Sequence, residues 1–373
     1  MKAGWHTKSF SDVLDIKNGR NQKEVESDSG EYPIYGSAGN LMGYANSYIC
    51  EAGTIIVGRK GNINSPIYVE TRFWNVDTAF GFSAKPGLDS KLLYYYCLSF
   101  DFSALNRGTT IPSLVKSELL SISIPVPPLP EQHRIVAILD EAFSGIAKAR
   151  ANAEQNRQNA RALFESHLQS VFTQRGEGWV EKTLEEVATT FGRGKSRHRP
   201  RNAPHLYGGE YPFVQTGDIR NAEHVITDFS QTYSEAGLAQ SRLWPKGTIC
   251  ITIAANIAET AILGFDACFP DSVIGVVANP KEADVDFIEY LLQSFKVRLQ
   301  SLGKGSAQAN INMGTFENER FPFPPIAEQK LIVAKLDALA AETQRLESLY
   351  QQKLAALDEL KKSLLHQAFS GQL

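Results

Sequence analysis

The stretch PPLPEQHRIVAILD at residues 127–140 recurs as PPIAEQKLIVAKLD at residues 324–337, with nine of the fourteen positions identical. The offset of 197 positions also holds beyond this stretch. Further identical pairs at that offset are Gln155/Gln352, Leu163/Leu360, Ser166/Ser363, Leu168/Leu365 and Phe172/Phe369. Self-similarity at one fixed offset indicates an internal duplication. The chain is therefore predicted to contain two copies of one unit, related by a pseudo-two-fold axis.

Each recurring stretch marks the start of a long helix. Proline is tolerated only at the beginning of a helix, and the acids Glu131 and Glu328 follow the paired prolines where a negative charge stabilises the helix dipole. No proline interrupts the chain from Glu131 to about Phe172 or from Glu328 to about Phe369. Each helix is therefore predicted to be roughly 60 Å long at 1.5 Å per residue.

Both helices carry an apolar stripe at alternating spacings of three and four, the heptad pattern of a coiled coil. In the second helix the predicted seam is Leu336, Leu339, Thr343, Leu346, Tyr350, Lys353, Leu357, Leu360 and Leu364. The matching positions in the first helix are Leu139, Ala142, Ile146, Ala149, Ala153, Asn156, Ala160, Leu163 and His167.

A leucine-rich stripe packs closely on an alanine-rich stripe without overfilling the seam. We therefore expect the two helices to form an antiparallel coiled coil within the chain, with the globular domains at its opposite ends. Asn156 and His167 are expected to set the register of the seam. The alternatives are that each helix packs on its own domain or forms a coil between two copies of the chain.

The globular parts contain short β-rich runs between turns rich in Gly and Asn, at residues 54–58, 67–69, 248–253 and 272–277. One short helix is predicted in each part, at residues 89–100 and 284–302. This composition predicts an α+β fold of two α/β domains with curved, mainly antiparallel sheets. The predicted bounds are residues 1–126 and 175–323 for the globular domains, and residues 127–174 and 324–373 for the helical segments.

Composition and charge exclude several classes of protein. With 373 residues, of which 43% are hydrophobic, the chain can bury the cores of two ordinary domains. Its apolar runs fall far short of the ~20 residues that a membrane helix needs, and its N-terminus lacks the apolar core of a signal peptide. We therefore expect a cytoplasmic protein without a membrane partner. The net charge of -3 excludes a small, strongly basic DNA-binding protein, but it does not exclude DNA contact through local basic loops.

Residue spacing argues against a metal site and a nucleotide site. The four cysteines Cys50, Cys97, Cys250 and Cys268 are far apart and lack the spacing of metal ligands, so they are predicted to be buried free thiols. The segment GRGKS at residues 192–196 lacks the first glycine of a phosphate-binding loop. No metal and no cofactor are therefore predicted in this chain.

Polar and basic residues concentrate in turns at corresponding positions of the two copies. Arg and Lys contact phosphates and guanine edges, Asn and Gln contact adenine edges, and Ser and Thr contact the DNA backbone. In the first copy the predicted DNA contacts are Arg20, Asn21, Lys23, Tyr35, Ser37, Arg59, Lys60, Asn62, Arg107, Thr109 and Thr110. In the second copy they are Arg193, Lys195, Arg197, Arg199, Gln215, Thr216, Asp218, Asn256, Lys304, Ser306, Gln308 and Asn310. Any one of these turns could be an ordinary solvated loop, but recurrence in both copies favours DNA recognition.

Two globular domains, each followed by a Pro-Pro-x-x-Glu-Gln helix, resemble the specificity subunits of type I restriction-modification systems. The segment GSAQANIN at residues 305–312 adds to this resemblance, whereas GTTIP at residues 108–112 departs from it. The resemblance covers essentially the whole chain. It implies a noncatalytic DNA-binding subunit whose two target recognition domains each recognise one half of a bipartite, asymmetric site in double-stranded DNA.

The same resemblance implies the partners and their cofactors. The helices would bind two methyltransferase subunits and set the spacing between the half-sites. The methyltransferase subunits would use S-adenosylmethionine to methylate adenine N6. The full complex would add two restriction subunits that hydrolyse ATP with Mg.

Two other classes of function are weighed against this one. An enzyme would need clustered catalytic groups, and Asn279-Pro280 is followed by Lys281 rather than by the second proline and aromatic residue of an adenine-methylation motif. A protein-interaction scaffold with a coiled-coil spacer and no DNA binding is the second alternative. The two functions are discriminated by measuring DNA binding of the chain in complex with a methyltransferase. A specificity subunit would bind DNA in that complex, and a scaffold would not.

Overall fold

The computed structural model describes residues 4–198, 200–254, 257–303 and 311–373. The chain divides into two compact units, which are Met1–Gln155 with Tyr350–Leu373, and Asn156–Leu349. Each unit therefore combines one globular domain with part of each long helix. Neither globular domain forms a compact unit without residues of both long helices.

The first unit begins with the globular domain that ends at Val126. Its strands are β1 (His6–Ser9), β2 (Leu14–Asn18), β3 (Tyr32–Tyr35), β4 (Leu41–Ala45), β5 (Thr54–Gly58), β6 (Ile67–Val69), β7 (Trp74–Asn75), β8 (Ala79–Ala84) and β9 (Ser123–Val126). Its helices are α1 (Phe10–Val13), α2 (Ser90–Ser99) and α3 (Lys116–Leu120), a 3-10 helix lies at Phe102–Leu105, and the long helix α4 (Leu129–Thr173) follows. Strands β2-β8-β5-β6 form an antiparallel sheet, β4-β3-β7 form a second sheet in which β3 and β7 are parallel, and β1 pairs with β9.

The β5 strand is buried throughout because both of its faces are covered. Successive side chains of a strand point to opposite faces. Ile55 and Val57 pack in the main core with Phe82 of β8, whereas Ile56 packs with Phe73 in a second cluster on the other face. The main core also contains buried side chains of α2, of the start of α4 and of the C-terminal end of the chain.

The second unit contains the other globular domain. Its strands are β10 (Val180–Lys182), β11 (Ala188–Arg193), β12 (Tyr207–Phe213), β13 (Val225–Ile226), β14 (Gln231–Tyr233), β15 (Ile249–Thr252), β16 (Thr260–Leu263), β17 (Val273–Ala278) and β18 (Phe321–Phe323). Its helices are α5 (Thr216–Asn221), α6 (Glu235–Ala239), α7 (Val285–Gly303) and α8 (Met313–Glu317), a 3-10 helix lies at Pro204–Leu206, and the long helix α9 (Ile326–Ser370) follows. The main sheet has the order β11-β17-β15-β16-β13 and is antiparallel except between β13 and β16; β12 pairs with β14, and β10 with β18.

The β15 strand repeats the arrangement of β5. Ile249 and Ile251 face α7 and the core beneath it, whereas Cys250 faces a second cluster with Trp244 and Phe269. The predicted α+β class with mainly antiparallel sheets is confirmed. All four cysteines are buried and free, as predicted.

The helices lie close to their predicted bounds. The long helices extend only two residues before Glu131 and Glu328, and they end one residue after Phe172 and Phe369. Within the first unit the start of α4 and the end of α9 are antiparallel: Phe143 lies beneath Lys361 Nζ at 5.0 Å, and Arg150 forms an ion pair with Asp358. The pairing of the two helices within the chain is confirmed.

The predicted seam is confirmed at some positions and wrong at others. Leu139, Ala153, Ala160 and Leu336 are buried, as predicted. Asn156 and His167 are exposed and set no register, and Leu163 and Leu360 are 64% and 47% exposed. The residues that are buried instead, or half-buried, lie one position further along the chain: Arg157, Phe164 and Leu168 on α4, and Leu354, Lys361 and Leu365 on α9.

The globular cores account for this shift at the ends of both helices. Leu168 of α4 is buried in the core of the second domain, and Phe164 packs against that core. Leu365 of α9 is buried in the core of the first domain. The buried residues at these ends are therefore those that face a domain, and not those of the predicted seam.

The glutamine of each Pro-Pro-x-x-Glu-Gln stretch is fully buried and joins the long helix to the loop before the short helix. Gln132 Nε2 donates to the carbonyl oxygens of Gly87 at 2.9 Å and Pro127 at 2.8 Å, and its Oε1 accepts from the Asp89 amide at 2.7 Å. Buried polar groups of this kind are stable only when hydrogen-bonded. The equivalent partners of Gln329 are Glu282, Pro324 and Asp284.

A second repeated contact joins the short helix to the long helix. The Tyr95 hydroxyl of α2 donates to Asp140 Oδ1 of α4 at 2.5 Å, and the Tyr290 hydroxyl of α7 donates to Asp337 Oδ1 of α9 at 2.8 Å. Asp140 also accepts from Lys91 Nζ at 2.9 Å. These contacts explain why the Pro-Pro-x-x-Glu-Gln stretch recurs in the sequence. In each unit its glutamine, and the aspartate eight residues further on, hold the globular domain on the long helix that follows it.

We expect Gln132→Leu and Gln329→Leu each to lower the free energy of unfolding by about 2 to 3 kcal/mol. Each replacement leaves one N–H and two carbonyl groups without their partner, one carbonyl bond being buried and the other two bonds part-buried. Urea unfolding of the two variants measures the loss. Gln352→Leu, an exposed glutamine of α9, is the matched control and should change stability by less than about 0.5 kcal/mol. Equal stability of Gln132→Leu and the control would contradict the structural role.

Candidate nucleic-acid interface

In the first domain three of the predicted loops converge on the turn at residues 75–79. The Arg20 amide donates to the carbonyl oxygen of Asn75 at 3.0 Å, and the amides of Arg59 and Lys60 donate to that of Thr78 at 2.8 and 3.1 Å. Strand β3 ends beside the same turn, since Tyr35 pairs with Asn75. Arg20, Asn21, Lys23, Tyr35, Ser37, Arg59, Lys60 and Asn62 are therefore carried by adjoining loops, although they lie up to 42 positions apart in the sequence.

Two glycines allow this close approach. A Cβ atom on Gly19 would lie 1.8 Å from the Val76 carbonyl oxygen, and one on Gly58 would lie 1.9 Å from the Asn62 carbonyl oxygen. Both distances are far below van der Waals contact. Any other residue at these two positions would push the Arg20 and Arg59 loops away from the shared turn.

The fourth loop, residues 106–113, packs on the Arg59 loop. The Gly61 amide donates to the Pro112 carbonyl oxygen at 2.9 Å, and Asn106 Oδ1 accepts from the amides of Gly108 and Ser113, both at 2.8 Å. Thr109 and Thr110 are exposed at its tip.

Arg107 differs from the other predicted cations of the first domain because it already has a carboxylate partner. Its guanidinium donates to Glu118 through Nη2 at 2.7 Å and through Nε at 2.9 Å. The hydrogen bond from Arg107 lowers the pKa of the Glu118 carboxyl. A DNA contact by Arg107 would have to share or replace this exposed ion pair, so its predicted role is the weakest of the first set.

In the second domain the basic loop lies around Asp271. Arg193 Nε donates to the Asp271 carbonyl oxygen at 2.8 Å, and Arg201 Nη2 donates to the Asp271 carboxylate at 2.8 Å. Lys195 and Arg197 are exposed between them. The loop therefore presents several cations on one surface, with two arginines fixed by a single residue.

The predicted residues Gln215, Thr216 and Asp218 form the start of α5. The Asp218 carboxylate accepts from the Gln215 amide at 2.8 Å, which makes it a helix cap. The segment is held near the basic loop, because the Val214 amide donates to the Cys268 carbonyl oxygen at 2.8 Å, three residues before Asp271. The remaining predicted contacts lie outside the described residues: Arg199, Asn256, Lys304, Ser306, Gln308 and Asn310.

A buried ionic cluster, which the sequence did not reveal, lies behind α5. His224 Nε2 is 3.0 Å from Asp286 Oδ1, and His224 Nδ1 is 2.7 Å from Glu289 Oε2. The Glu289 side chain is fully buried, and it also accepts from Thr260 Oγ1 at 3.0 Å and Gln293 Nε2 at 2.7 Å. We call these five residues the His224 cluster.

The carboxylates of the cluster keep His224 charged. Burial by itself lowers the pKa of His224, but hydrogen bonds and charges from Asp286 and Glu289 outweigh it and raise the pKa to about 10. The imidazolium ion is therefore the counter-charge of a buried carboxylate.

The His224 cluster links the predicted DNA-contact segment to the long helix. His224 lies three residues after the end of α5, and its ring stacks on Tyr290 of α7 at 4.7 Å between centroids. Tyr290 in turn donates to Asp337 of α9. In the sequence, Asp286, Glu289 and Tyr290 have the spacing of one helix face. His224 lies 62 positions earlier than Asp286, so no local pattern could have connected them.

The described residues contain no group of three or more His, Cys, Asp or Glu side chains arranged to hold a metal ion. None of the helices within the described ranges is long and apolar enough to cross a membrane. A pocket in the first domain is lined by the Arg20 loop and by β7. Its residues are Arg20, Asn21, Lys23, Glu24, Val25 and Trp74.

The sequence matches one family model twice, over residues 2–154 and residues 176–355. The model describes the type I restriction modification DNA specificity domain. A putative type I restriction enzyme specificity subunit of Haemophilus influenzae is 24% identical over 345 residues, which span 88% of this chain and 86% of the relative. The EcoBI specificity subunit of Escherichia coli is 23% identical over 358 residues, which span 86% of this chain and 73% of the relative.

Two solved structures share the fold. One comes from work on complex assembly and conformational transition of the type I R-M system; it has a TM-score of 0.82 and 20% identity, and the match covers 100% of this chain and 99% of that chain. The other is the HsdS subunit from Thermoanaerobacter tengcongensis, with a TM-score of 0.63, 19% identity and coverage of 100% and 98%.

Proposed function

The chain belongs to the family of type I restriction-modification DNA specificity proteins, and we propose that it supplies DNA sequence recognition to such a system. Each globular domain recognises one half of a bipartite, asymmetric site in double-stranded DNA. The long helices bind two methyltransferase subunits and set the distance between the half-sites. Two restriction subunits join the full complex.

The observation that carries this proposal is the convergence of exposed polar loops within each unit. In the first domain four loops that are separate in the sequence adjoin one another around residues 75–79. Exposed Lys60 and partly exposed Arg59 can neutralise phosphates, and the exposed Asn62 amide has the donor and acceptor needed for an adenine edge. A surface of this composition in each of two domains fits an asymmetric, two-part DNA site.

The chain contributes recognition and no catalytic group in this proposal. Methyl transfer and ATP hydrolysis take place in the partner subunits, which bind S-adenosylmethionine, ATP and Mg. The net charge of -3 gives the chain alone a weak attraction for DNA. Positive surface on the methyltransferase subunits is therefore needed for tight binding.

We expect removal of charge from the proposed surface to weaken DNA binding and to reduce its dependence on salt. The test uses the complex with methyltransferase subunits and compares Arg59→Gln with Lys60→Gln in the first domain and Arg197→Gln in the second. Each lost phosphate contact should lower the slope of log K against log salt concentration by about one. The Kd is measured over a series of NaCl concentrations with a duplex that carries the methylated site.

Lys8→Gln is the matched control, because Lys8 is exposed on β1, outside the four loops. Its salt slope should equal that of the unmodified complex. A complex that binds no DNA sequence selectively would favour the scaffold alternative. Unchanged slopes in all three test variants would remove these residues from the interface.

A further inference from the structure

Arg242 of the second domain is an exposed cation fixed on a buried aromatic stack. Its guanidinium carbon lies 4.1 Å from the ring centroid of Trp244. The Trp244 side chain is fully buried and stacks on Phe269, with centroids 5.0 Å apart and planes 20° apart. The three side chains therefore form a layered stack whose outer layer is the guanidinium group.

The stack has little freedom to move. The Trp244 amide donates to the Ala267 carbonyl oxygen at 2.9 Å, and the Ala267 amide donates back to Trp244 at 3.0 Å. Gly275 of β17 makes room for the indole, since a Cβ atom there would lie 2.8 Å from the Trp244 ring. The guanidinium plane is thus held by a ring that is itself locked between the sheet and Phe269.

Arg242 also lies beside the basic loop. The segment 240–244 runs along residues 192–198 and contacts it at two hydrogen bonds: Gln240 Oε1 accepts from the His198 amide at 3.0 Å, and Ser241 Oγ donates to the Lys195 carbonyl oxygen at 2.8 Å. Arg242 follows Ser241 directly. Its charge therefore adds to those of Lys195 and Arg197 on one surface.

The donors of Arg242 are free, unlike those of the neighbouring arginines. Arg193 and Arg201 both donate to Asp271. Arg242 makes no hydrogen bond and no ion pair with any residue that the structure describes, and its side chain is exposed. Stacking uses the face of a guanidinium group and leaves the N–H donors at its edge available.

We propose that Arg242 contacts DNA in the half-site recognised by the second domain, through the donor edge of its stacked guanidinium group. This inference rests on the proposed function. A guanidinium held in one plane loses little conformational freedom on binding, and it can donate two parallel hydrogen bonds to a phosphate or to the O6 and N7 atoms of guanine. A lysine lacks that planar pair of donors.

The test uses the complex with methyltransferase subunits and the duplex that carries its methylated site. Arg242→Ala and Arg242→Lys are compared with Arg175→Ala, which removes an exposed arginine of the same unit that is paired with Glu181. Kd is measured as a function of salt, and methylation is measured separately at each half-site. Thermal unfolding checks that every variant is folded.

We expect Arg242→Ala to weaken binding roughly tenfold, and Arg242→Lys to restore little of it because the planar donor pair is missing. A loss that is uniform across second half-site sequences, with a salt slope lower by about one, identifies a phosphate contact. A loss restricted to one guanine position, with an unchanged slope, identifies a base contact. For either kind of contact, the sequence preference at the first half-site should stay unchanged when methylation of that half-site is measured on hemimethylated DNA.

The proposal is overturned if Arg242→Ala is folded and matches Arg175→Ala in affinity, salt slope and sequence preference. If Arg242→Ala does not fold, the same measurements on Arg242→Lys decide, because lysine keeps the charge and a long side chain. If the unmodified complex itself has no sequence preference, the proposed function fails. If it is selective and both Arg242 variants retain that selectivity and affinity, only the role of Arg242 fails.

Discussion

Duplicating residues 147–153 after Ala153 and residues 344–350 after Tyr350 is expected to lengthen the spacer between the two DNA half-sites by up to three base pairs. Seven residues add about 10 Å of helix at 1.5 Å per residue, and B-DNA rises about 3.4 Å per base pair. The half-site sequences should stay the same, because the insertions lie beside the boundaries of the two units at Gln155/Asn156 and Leu349/Tyr350. Methylome sequencing of cells that carry the variant measures the spacer.

Seven residues suit this chain because they make nearly two whole turns of an α-helix. An insertion of that length turns the following part of a helix by only about 20° from its original orientation, so the buried stripe is nearly preserved. Inserting into one helix alone should abolish methylation, since it leaves seven residues of that helix without matching partners on the other helix. A functional variant with both insertions and an unchanged spacer would mean that the helices do not set the separation of the half-sites.

His224→Gln is expected to lower the free energy of unfolding at pH 7 by about 3 kcal/mol or more. It removes the counter-charge of the fully buried Glu289, and breaking a buried pair on one side leaves a charge without compensation. Because the His224 cluster anchors α5 to α7, the variant should also lose sequence preference at the second half-site before the first. Urea unfolding and methylation at each half-site measure the two effects.

The stabilisation by His224 should decline in alkali. The folded-state pKa of about 10 lies above the unfolded value near 6.5, so the contribution is complete below pH ~6.5 and is lost as the pH rises through about 10. The difference in stability between the unmodified chain and His224→Gln should therefore shrink from pH 7 to pH 10. His167→Gln, at an exposed position of α4 in the same unit, should show no such trend. A difference that stays constant with pH would contradict the charged state of His224.

The sequence predicted the duplication, the bounds of both long helices and the strands β5 and β6, because these depend on local signals. Paired prolines followed by an acid begin a helix wherever they occur. The helices α2 and α7 were predicted to within one residue, since Asp89 and Asp284 accept hydrogen bonds from the first amides of these helices. The prediction of one helix in each domain was wrong, because it missed the helices α1, α3, α5, α6 and α8, which are four to six residues long.

The candidate interface was predicted only by residue type. Arg20, Arg59 and Asn62 were chosen for their chemistry, and the backbone hydrogen bonds to Asn75 and Thr78 place their loops side by side. Nothing in the sequence separated Arg107, which is paired with Glu118, from its neighbours. Arg242 was missed because its significance comes from Trp244 and Phe269, which pack behind it in the folded chain.

The sequence by itself thus determined the two copies, their α+β class and where each long helix begins and ends, since capping, proline and periodicity act over a few neighbouring residues. Only the tertiary structure decided which helix residues are buried toward the ends of α4 and α9, because Leu168 and Phe172 pack in the core of the second domain and Leu365 and Ala368 in the core of the first. It alone also joined His224 to Glu289 and Arg242 to Trp244 and Phe269. Ion pairing and stacking depend on distances in space, and the folded backbone sets those distances.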